Sequence, residues 1–550
     1  MRFLALLSSL PICALAQSAA TVSQQGLPSA TPEQVGLSTS ALRRVDAQLH
    51  AWVDSGKVAG IVGVVIRHGM MAYVTSAGSL DSAGAPIAGD AVFRMYSMTK
   101  PIASTAVMQL VEAGKVRLSD PVSKYIPAFA NTKVFVGGSM AQPQLAALAR
   151  PITIADLLTH TSGLTYGVFG NSAVDSLYVR ANMLGSQYTL AQFADSIAML
   201  PLLFQPGTRF NYGLSIDVLG RVVEVASGMT FDAYLDSAIF RPLGMTSTAF
   251  HPTRSMRARM TRVYAPTRAG KLMALGANAD AMYADSSRML SGGAGLLSTI
   301  PDYARFAQML MSGGELDGHR ILKRETVHLM MQNHLPLALT PIMAKEPEPP
   351  GRNGFGYGGA VRLDSASAQM PGSAGTFRWS GYASTFFWID RQNDLIGMLF
   401  TQFIPEPAVW SIDGEFQKLV YGALRPGSGA LTEQGQLAMQ EFSFNAAQAL
   451  GAGHEQLDKY TTSSSYRRRN YDPAHPLVGS FIGKDCKDKP LRLVFVAFKP
   501  ASPDVPLAAA VFRVVGDSLQ LEAEGPGMNK DVPGLVARFR NPKKSGECVE

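Results

Sequence analysis

A serine and a lysine three positions apart are the residues of this chain whose types and spacing best suit covalent chemistry. Ser97 and Lys100 lie in the segment FRMYSMTKP, from Phe93 to Pro101. On a helix, residues at this spacing share one face, so Ser97 Oγ and Lys100 Nζ can meet. A serine hydroxyl becomes a nucleophile when a neighbouring base takes its proton, and a desolvated lysine can be that base. Ser-x-x-Lys also occurs by chance in many chains, so the surrounding sequence has to decide.

The residues after this pair predict a helix that begins near Ser97 and ends at Gly114. Apolar residues recur there at helical spacing: Ile102, Ala103, Ala106, Val107, Leu110 and Val111. Pro101 fits this helix only in its first turn. The free backbone N–H groups of a helix N-terminus would then lie beside Ser97, where they suit an oxyanion.

The N-terminus predicts a secretory signal peptide over residues 1–16. Arg2 supplies a positive charge, residues 3–15 form a short apolar core, and Ala14-Leu15-Ala16 is a small-x-small cleavage site before Gln17. The core is too short to span a bilayer, and no later stretch is long and apolar enough to do so. We therefore expect cleavage near Ala16 and an exported protein, periplasmic or secreted, with no integral membrane segment in the mature chain.

Composition favours a well-packed globular protein of one large and one small domain. The 550 residues are 47% hydrophobic and 17% charged, and the net charge of +7 is modest for this length. The densest basic run, Arg467-Arg468-Arg469, lies in a polar, linker-like stretch, so a solvated loop is favoured over a nucleic-acid site. The chain has no HExxH, no CxxC pair and no phosphate-binding GxxxxGK[ST] motif. We expect no metal, no cofactor and no nucleic-acid partner.

The pattern of the large domain, residues 30–425, predicts an α+β fold. Strand-like runs occur at both ends, and helical segments fill the middle, so one sheet should join both ends of the domain. The predicted strands are Ile61 to Arg67, Met71 to Ser76, Thr385 to Asp390 and Leu395 to Gln402. The predicted helices include Leu42 to Val53, Ile154 to Leu158, Ile216 to Ala226 and Tyr303 to Met311.

The C-terminal part predicts a linker over residues 426–476 and a small β domain over residues 477–550. Runs from Leu491 to Phe498, Ala508 to Val515 and Ser518 to Ala523 alternate as strands do. Cys486 and Cys548 are the two cysteines that remain after signal removal. In an exported chain they favour a disulfide, with two unpaired thiols as the alternative.

Two observations disfavour a Ser-His-Asp triad. The nucleophile elbow of that class, G-x-S-x-G, occurs nowhere in the chain. His160 precedes Ser162 in LTHTSGL, but residues two apart face different sides of a helix. We therefore interpret His160 as part of a helix end and turn.

A second proton carrier for Ser97 is offered by Tyr212. It follows the Pro206-Gly207 turn and immediately precedes a predicted helix. A tyrosine in such a place is normally a core residue with a satisfied hydroxyl, so composition alone does not assign it a role.

Taken together, these motifs resemble those of the penicillin-recognising serine hydrolases. The set is YSMTKP at 96–101, HTSGL at 160–164, the Pro206-Gly207 turn with Tyr212, SGGAGLLST at 291–299, and Trp379-Ser380-Gly381. Among those enzymes the chain is most similar to the class C β-lactamase-like carboxylesterases, the family VIII esterases. The resemblance covers roughly residues 30 to 425 and leaves out the C-terminal region.

The resemblance implies a β-lactamase/transpeptidase-like fold, an antiparallel sheet flanked by helices plus an all-helical subdomain. It also implies that Ser97 is the nucleophile and that Lys100 and Tyr212 share the proton transfers. A tyrosine near an ammonium group has its phenolate favoured, so either residue can be the base. By the same resemblance, the backbone N–H groups of Ser97 and Tyr382 form the oxyanion hole.

Two departures from the family pattern bear on the substrate, in a site wall that we expect to include Leu214, Trp379, Ser380 and Gly381. In β-lactamases and DD-peptidases the third motif begins with a lysine that helps to hold the substrate carboxylate. Trp379 stands there in this chain and replaces the cation by an apolar wall. The Tyr-x-Asn motif becomes Tyr212-Gly213-Leu214, and Leu214 cannot hydrogen-bond an acylamino group.

The sequence therefore favours an exported serine carboxylesterase that acts on small neutral esters through an acyl-Ser97 intermediate. Three alternatives share the fold: a β-lactamase or D-amino-acid peptidase, an acyltransferase, and a binding protein without catalysis. The intact set of Ser97, Lys100 and Tyr212 disfavours the last of these. The sequence predicts a small-molecule ester as partner and gives no indication of oligomeric state.

Overall fold

The computed structural model describes residues 26–336, 339, 353–363, 371–405 and 412–425, and the strands within 477–526. The helices are α1 Thr39–Asp54, α2 Thr99–Glu112, α3 Ile154–Leu158, α4 Ala173–Arg180, α5 Leu190–Ala198, α6 Ser215–Ser227, α7 Phe231–Leu235, α8 Arg254–Arg257, α9 Ile300–Met311, α10 Arg324–Met331 and α11 Ile412–Tyr421. Short 3₁₀ turns cover Pro32–Val35, Tyr96–Met98, Val122–Lys124, Pro127–Asn131 and Ala277–Tyr283, and a π-turn covers Asp236–Phe240.

The centre of the fold is a seven-stranded sheet in which every neighbouring pair is antiparallel. Its strands are β1 Gly60–Arg67, β2 Met70–Gly78, β11 Asn353–Phe355, β12 Ala360–Arg362, β13 Phe377–Gly381, β14 Thr385–Asp390 and β15 Leu395–Thr401. They lie in the order β11-β12-β13-β14-β15-β1-β2. The pairing of β1 with β15 joins Ile61 to Thr401, so the two ends of the domain close one sheet as the sequence predicts.

Strand β1 is buried along its whole length because both faces of the sheet are covered. Ile61 and Val65 pack in one cluster with α1 and α11, whereas Val62 and Val64 pack in a second cluster on the opposite face. This alternation follows from the two-residue side-chain period of a strand. Each fully buried aliphatic side chain contributes about 1.5–3 kcal/mol, so covering both faces stabilises the strand strongly.

The long segment between β2 and β11 forms the helical part of the domain, on the second face of the sheet. Helices α2 and α6 contact each other there, and α9 contacts β15. This part also carries four two-stranded ribbons that the sequence did not predict. They pair β3 Phe93–Arg94 with β8 Leu297–Ser298, β4 Lys133–Gly138 with β5 Pro143–Ala147, β6 Tyr264–Pro266 with β7 Leu272–Ala274, and β9 Glu315–Leu316 with β10 His319–Arg320.

These elements confirm the expected β-lactamase/transpeptidase-like fold. The predicted strands and helices lie within a few residues of their observed ends, and Ile154–Leu158 and Thr385–Asp390 coincide with them. Helix α2 follows a 3₁₀ turn that contains Ser97, and Pro101 lies in its first turn as expected. In the described part of the chain, none of the helices combines the length and apolarity needed to cross a bilayer.

The C-terminal region contains a four-stranded antiparallel sheet in the order β16-β17-β18-β19. Its strands are β16 Leu477–Lys484, β17 Pro490–Phe498, β18 Ala508–Val515 and β19 Ser518–Pro526. They match the strand-like runs of the sequence and add β16. The signal peptide, the linker over 426–476 and the cysteines Cys486 and Cys548 lie outside the described residues, so these expectations and the domain boundaries stay predictions.

Gly397 offers a test of the packing between β14 and β15. It pairs with Trp388, whose indole lies where a Cβ on residue 397 would be, so that an added methyl would overlap the ring. We expect Gly397→Ala to lower the free energy of unfolding by about 1–3 kcal/mol through overpacking. The midpoint of urea unfolding, followed by tryptophan fluorescence, measures this change.

Gly276→Ala is the matched control, because a new Cβ there meets no atom within 4 Å. We expect this variant to stay within about 0.5 kcal/mol of the wild type. Equal stability of the two variants would contradict the packing described for β14 and β15.

Candidate active site

Ser97 lies in a 3₁₀ turn that is fixed at both ends by backbone contacts. Before it, β3 pairs with β8, and Met95 N–H donates to Leu296 C=O at 2.9 Å. After it, Met98 C=O accepts a hydrogen bond from the Tyr303 hydroxyl at 3.0 Å. Between them Tyr96 adopts φ 44°, a left-handed conformation that is uncommon for a bulky residue. The residue before Ser97 is therefore held in a strained backbone state, as is frequent at active sites.

Lys100 is fully buried, and three acceptors surround its amine. Nζ lies 3.1 Å from Ser97 Oγ, 2.9 Å from the Tyr166 hydroxyl and 2.7 Å from Gly293 C=O. An ammonium group has three N–H donors, so each of them has a partner. When the amine is neutral, its lone pair can replace one donor and accept from Ser97.

Burial lowers the pKa of Lys100 to about 7, and the nearby Asp217 carboxylate partly opposes this change. Desolvation disfavours the charged form of an amine, which accounts for the direction. The neutral amine is therefore well populated near neutral pH. A lysine in this state is poised to accept a proton from a serine that lies within hydrogen-bond distance.

Tyr212 reaches Ser97 from the loop that precedes α6. Its hydroxyl donates to Ser97 Oγ at 2.6 Å. The loop is positioned by backbone contacts on either side, since Asn211 N–H donates to His160 C=O at 2.9 Å and Gly213 N–H donates to His160 Nδ1 at 3.3 Å. The Lys100 amine also lies 4.6 Å from the centre of the Tyr212 ring.

The protonation of Tyr212 differs from the sequence expectation of a favoured phenolate. Burial raises the pKa of Tyr212 well above its ordinary value, and the hydrogen bond with Ser97 opposes this only in part. Tyr212 therefore keeps its proton at neutral pH. Of the two proton carriers, Lys100 is suited to accept a proton and Tyr212 to donate one.

His160 has a supporting position, in agreement with its interpretation as part of a turn. It follows α3 with φ 55°, and its ring lies 4.8 Å from the Tyr212 ring, between centroids. Burial, together with the charge of Lys100, lowers the pKa of His160 well below its ordinary value. The imidazole stays neutral, and its Nδ1 accepts from Gly213 N–H.

The structure adds two polar residues that sequence reasoning missed. Tyr166 accepts a hydrogen bond from Lys100, and burial raises its pKa well above the ordinary value, so it is neutral. Asp217, on α6, accepts hydrogen bonds from the Ser291 hydroxyl and from Gly293 N–H. Both lie within a few residues of recognised motifs, HTSGL and Tyr212, and this proximity is the only signal in the sequence that could have drawn attention to them.

The end of strand β13 forms the opposite side of the site. The Trp379 ring lies 5.5 Å from the Tyr212 ring and 5.2 Å from the Phe355 ring, between centroids, so Trp379 packs beside a direct neighbour of Ser97. A Cβ on Gly381 would overlap Met95 C=O, which shows how closely this strand approaches the turn of Ser97. The Tyr382 ring lies 6.0 Å from the Tyr96 ring.

For the other predicted wall residues, Ser380 and Leu214, the structure gives a position but no hydrogen bond to Ser97, Lys100 or the Tyr212 hydroxyl. Ser380 lies between Trp379 and Gly381 on β13 and is half-buried. Leu214 is buried in the core at the start of α6, so it lies next to Tyr212 in sequence but presents almost no surface. Substrate contact by these residues and an oxyanion hole at Ser97 and Tyr382 stay predictions. Within the described residues, no group of three or more His, Cys, Asp or Glu side chains is arranged to hold a metal ion.

Comparison with known proteins identifies the family of this chain. Residues 43–420 match the β-lactamase family. The chain belongs to this family. The resemblance drawn from the motifs is thereby confirmed, and the chain is a β-lactamase-like serine hydrolase related to the family VIII esterases.

Several relatives are enzymes that act on esters. Esterase EstB of Burkholderia gladioli is 30% identical over 389 residues, which cover 66% of this chain and 90% of EstB. Lovastatin esterase of Penicillium rubens is 30% identical over 390 residues, which cover 68% and 94%. The structure of EstCE1, a hydrolase with promiscuous acyltransferase activity, has a TM-score of 0.59 at 27% identity and covers 70% of this chain and 98% of EstCE1. These relatives support a serine ester hydrolase or acyltransferase.

Lys100 Nζ contacts Ser97 Oγ, whereas His160 contacts the loop of Tyr212, so variants of the two residues can test which one is the base for Ser97. We expect Lys100→Met to abolish labelling of Ser97 by a fluorophosphonate probe, because no other described group with a lowered pKa contacts Ser97 Oγ. We expect His160→Asn to keep most of the labelling, since asparagine tolerates a positive φ and offers an acceptor to Gly213 N–H. In-gel fluorescence at equal protein concentration measures both, and circular dichroism checks folding. The reverse order of labelling would favour a Ser-His mechanism.

Proposed function

We propose that this protein is a carboxylesterase that hydrolyses small neutral esters through an acyl-Ser97 intermediate. The observation that carries the proposal is the position of Ser97 Oγ between a buried amine and a half-buried tyrosine, at 3.1 Å from Lys100 and 2.6 Å from the Tyr212 hydroxyl. An activated serine needs a group that takes its proton and a group that gives one to the leaving alcohol. The set of Ser97, Lys100 and Tyr212 supplies both.

The first half-reaction assigns a role to each residue. Lys100 takes the hydroxyl proton as Ser97 Oγ attacks the ester carbonyl carbon. Tyr212 donates its proton to the alkoxide that leaves when the tetrahedral intermediate collapses, and the Lys100 ammonium then returns a proton to Tyr212. In the second half-reaction Lys100 takes a proton from the attacking water, and Tyr212 gives its proton to Ser97 Oγ as the acyl group leaves. The Lys100 ammonium again returns a proton to Tyr212, so the acid is released and all three residues are restored.

An oxyanion hole formed by the N–H groups of Ser97 and Tyr382 would stabilise the tetrahedral intermediate. Support comes from the close approach of β13 to the turn of Ser97, since Gly381 leaves no room for a side chain beside Met95. Thr385 Oγ1 also lies 3.5 Å from Met95 C=O and ties β14 to the same backbone. Two donors aimed at a developing negative charge contribute strongly to such catalysis.

The walls of the site support a neutral substrate. Trp379 is 7% exposed, and by the motif resemblance it replaces the lysine that anchors carboxylates in lactam-recognising enzymes. Phe169, whose ring is 5.4 Å from the Tyr166 ring and 6.4 Å from the Tyr212 ring, adds an exposed aromatic edge. The Arg94 guanidinium does not replace the missing lysine as an anchor for a substrate carboxylate, because it donates to the Asp280 carboxylate and to Thr261 C=O. Aromatic surfaces favour apolar acyl and alcohol groups over charged ones.

The names of the relatives agree with an ester substrate. EstB and lovastatin esterase both carry that activity in their names.

We further propose that residues 1–16 direct export to the periplasm or medium, that a linker over 426–476 leads to a C-terminal β domain over 477–550, and that Cys486 pairs with Cys548. Mass spectrometry of the secreted protein, with and without reduction, tests the cleavage site and the disulfide together.

Purified wild type should hydrolyse short-chain p-nitrophenyl esters, and Ser97→Ala should lose this activity by a factor of at least about 10³. The physical reason is the loss of the acyl acceptor while the fold and the walls of the site are kept. Release of p-nitrophenol at 405 nm measures the rates, and fluorophosphonate labelling reports the nucleophile. Equal labelling of wild type and Ser97→Ala would contradict the assignment.

The same preparation separates the alternatives. A chromogenic cephalosporin and a D-Ala-D-Ala peptide test the lactamase and peptidase alternatives, and strong turnover of either with negligible ester turnover would overturn the proposal. A primary alcohol added as acceptor tests the acyltransferase alternative. Transfer product that exceeds the hydrolysis product at low millimolar acceptor would assign the protein to acyl transfer.

The rate of acylation should rise with pH as Lys100 loses its proton. Because burial sets the pKa of Lys100 to about 7, kcat/KM should reach half of its maximum near pH 7 and level off above it. The raised pKa of Tyr212 keeps its proton in place, so the plateau should extend through about pH 9. Initial rates from pH 5 to 9, corrected with Ser97→Ala for spontaneous hydrolysis, measure the profile. A flat profile between pH 5 and 8 would exclude Lys100 as the base.

A further inference from the structure

A continuous chain of hydrogen bonds runs from the catalytic amine to a buried carboxylate. Lys100 Nζ donates to Gly293 C=O at 2.7 Å. The N–H of the same peptide group, from Ala294, donates to Ser291 Oγ at 2.9 Å. The Ser291 hydroxyl in turn donates to Asp217 Oδ1. Two groups, the Gly293–Ala294 peptide group and the Ser291 hydroxyl, thus connect the amine at one end with the carboxylate at the other.

A second contact fixes the same loop to Asp217. Gly293 N–H donates to Asp217 Oδ1 at 3.1 Å, so this carboxylate oxygen accepts from both the Gly293 N–H and the Ser291 hydroxyl. The other oxygen, Oδ2, has no hydrogen-bond partner among the described residues and lies against Gly293, where an added Cβ would overlap it. Asp217 is 2% exposed. A buried carboxyl group with one unsatisfied oxygen lowers the stability of the fold. Packing alone therefore does not explain why Asp217 is found at this position.

The donors in this chain of hydrogen bonds all point the same way, which affects how well it stabilises a charge on the Lys100 amine. Each donor points from Lys100 towards Asp217, so every peptide and hydroxyl dipole along it has its negative end towards the amine. Hydrogen bonds in a row polarise one another, and the low dielectric of a buried site strengthens the effect. Gly293 C=O is therefore a better acceptor for an ammonium group than an isolated carbonyl would be.

We propose that Asp217 is a positioning residue: acting through Ser291 and the Gly293–Ala294 peptide group, it holds the Lys100 amine on Ser97 and stabilises that amine once it has taken the serine proton. The inference rests on the proposed role of Lys100 as the base. The hydrogen bonds of Asp217 are with Ser291 and Gly293 and not with Ser97, so its proposed effect reaches the reaction through Lys100.

Among the residues that the structure describes, few other titratable groups face Lys100. Tyr166 contacts it from the loop after α3 and Tyr212 from the loop before α6, and burial keeps both of them neutral. His160, on the turn after α3, is also neutral because burial lowers its pKa. Asp217 on α6 is the carboxyl group whose charge acts on Lys100, and that charge opposes the effect of burial on the lysine. Removing it should therefore disfavour the ammonium form.

Asp217→Asn tests the proposal with an isosteric change. Its side-chain oxygen can still accept from Ser291 and Gly293, but the charge at the end of the chain is gone. We expect two effects together: the plateau of kcat/KM falls on the order of tenfold, as for other residues that orient a reacting group, and the midpoint of the acid limb moves down by about one pH unit. A merely structural role would lower the plateau and leave the midpoint in place.

Ser291→Ala provides a second, milder variant that breaks the chain at its middle. The midpoint should move in the same direction by a smaller amount, and this variant decides the matter if Asp217→Asn does not fold. Asp302→Asn is the matched control, because Asp302 is also a buried carboxyl group held by two hydrogen bonds, to Ser247 N–H and Thr248 Oγ1, and it has no contact with Lys100. Its midpoint should equal that of the wild type.

The outcomes separate the inference from the proposed function. An unmoved midpoint in folded Asp217→Asn, or in Ser291→Ala if the first does not fold, would overturn the role of Asp217. A midpoint that moves equally in Asp302→Asn would overturn it too, because the shift would then report a general loss of packing. Failure of the wild type to label with the fluorophosphonate probe would instead overturn the assignment of Ser97, whatever the pH profiles show.

Discussion

The burial of the Lys100 amine is the constraint on which the rest of the site depends. A lysine taken out of water loses its charge unless its N–H groups find acceptors, and here the acceptors come from three different parts of the chain: the turn of Ser97, the loop of Tyr166 and the loop of Gly293. The three acceptors offset only part of the cost of removing the amine from water, and this is what allows it to act as a base. If they offset all of that cost, the amine would stay an ammonium group, and without any acceptor it would have no fixed orientation. The sheet, the strained turn at Tyr96 and helix α2 act together to hold this amine next to one hydroxyl.

Local patterns in the sequence were enough to predict four strands of the central sheet, several helices and the contact between Ser97 and Lys100. The period of the apolar residues predicted α2, and the spacing of Ser97 and Lys100 predicted that they meet, because both depend on neighbours along one helix. Tyr166, Gly293 and Asp217 could not be predicted in this way. Their residue types are common and their distances from Lys100 along the chain are long, so their role appears only when the fold brings three loops around one atom. The two-stranded ribbons were missed for a related reason, since pairs as short as β3 and β8 have too few residues to show a period.

Tyr212 shows why a chemical argument from residue types needs the burial of the group. Proximity to an ammonium group favours a phenolate, and from sequence alone this was the only effect that could be considered. In the folded protein, desolvation acts on the same hydroxyl in the opposite direction and is larger. The same physical effect therefore lowers the pKa of Lys100 and raises that of Tyr212, which leaves one neighbour of Ser97 ready to accept a proton and the other ready to donate one.

The aromatic wall connects the chemistry of the base with the choice of substrate. The Trp379 ring contacts the rings of both Phe355 and Tyr212, and the Tyr212 ring lies 4.6 Å from the Lys100 amine, so the apolar surface expected to favour neutral esters continues to the amine. A lysine at position 379, as in the lactam-recognising relatives, would add a cation beside that amine as well as an anchor for a carboxylate. Like charges at short distance lower each other's pKa, and the loss of the indole would admit water at the same place. In the proposed mechanism, a change of substrate class at position 379 would therefore also change the base. A shared fold does not by itself fix a function for this reason: the residues proposed to select the substrate also affect the protonation of the residues proposed to act on it.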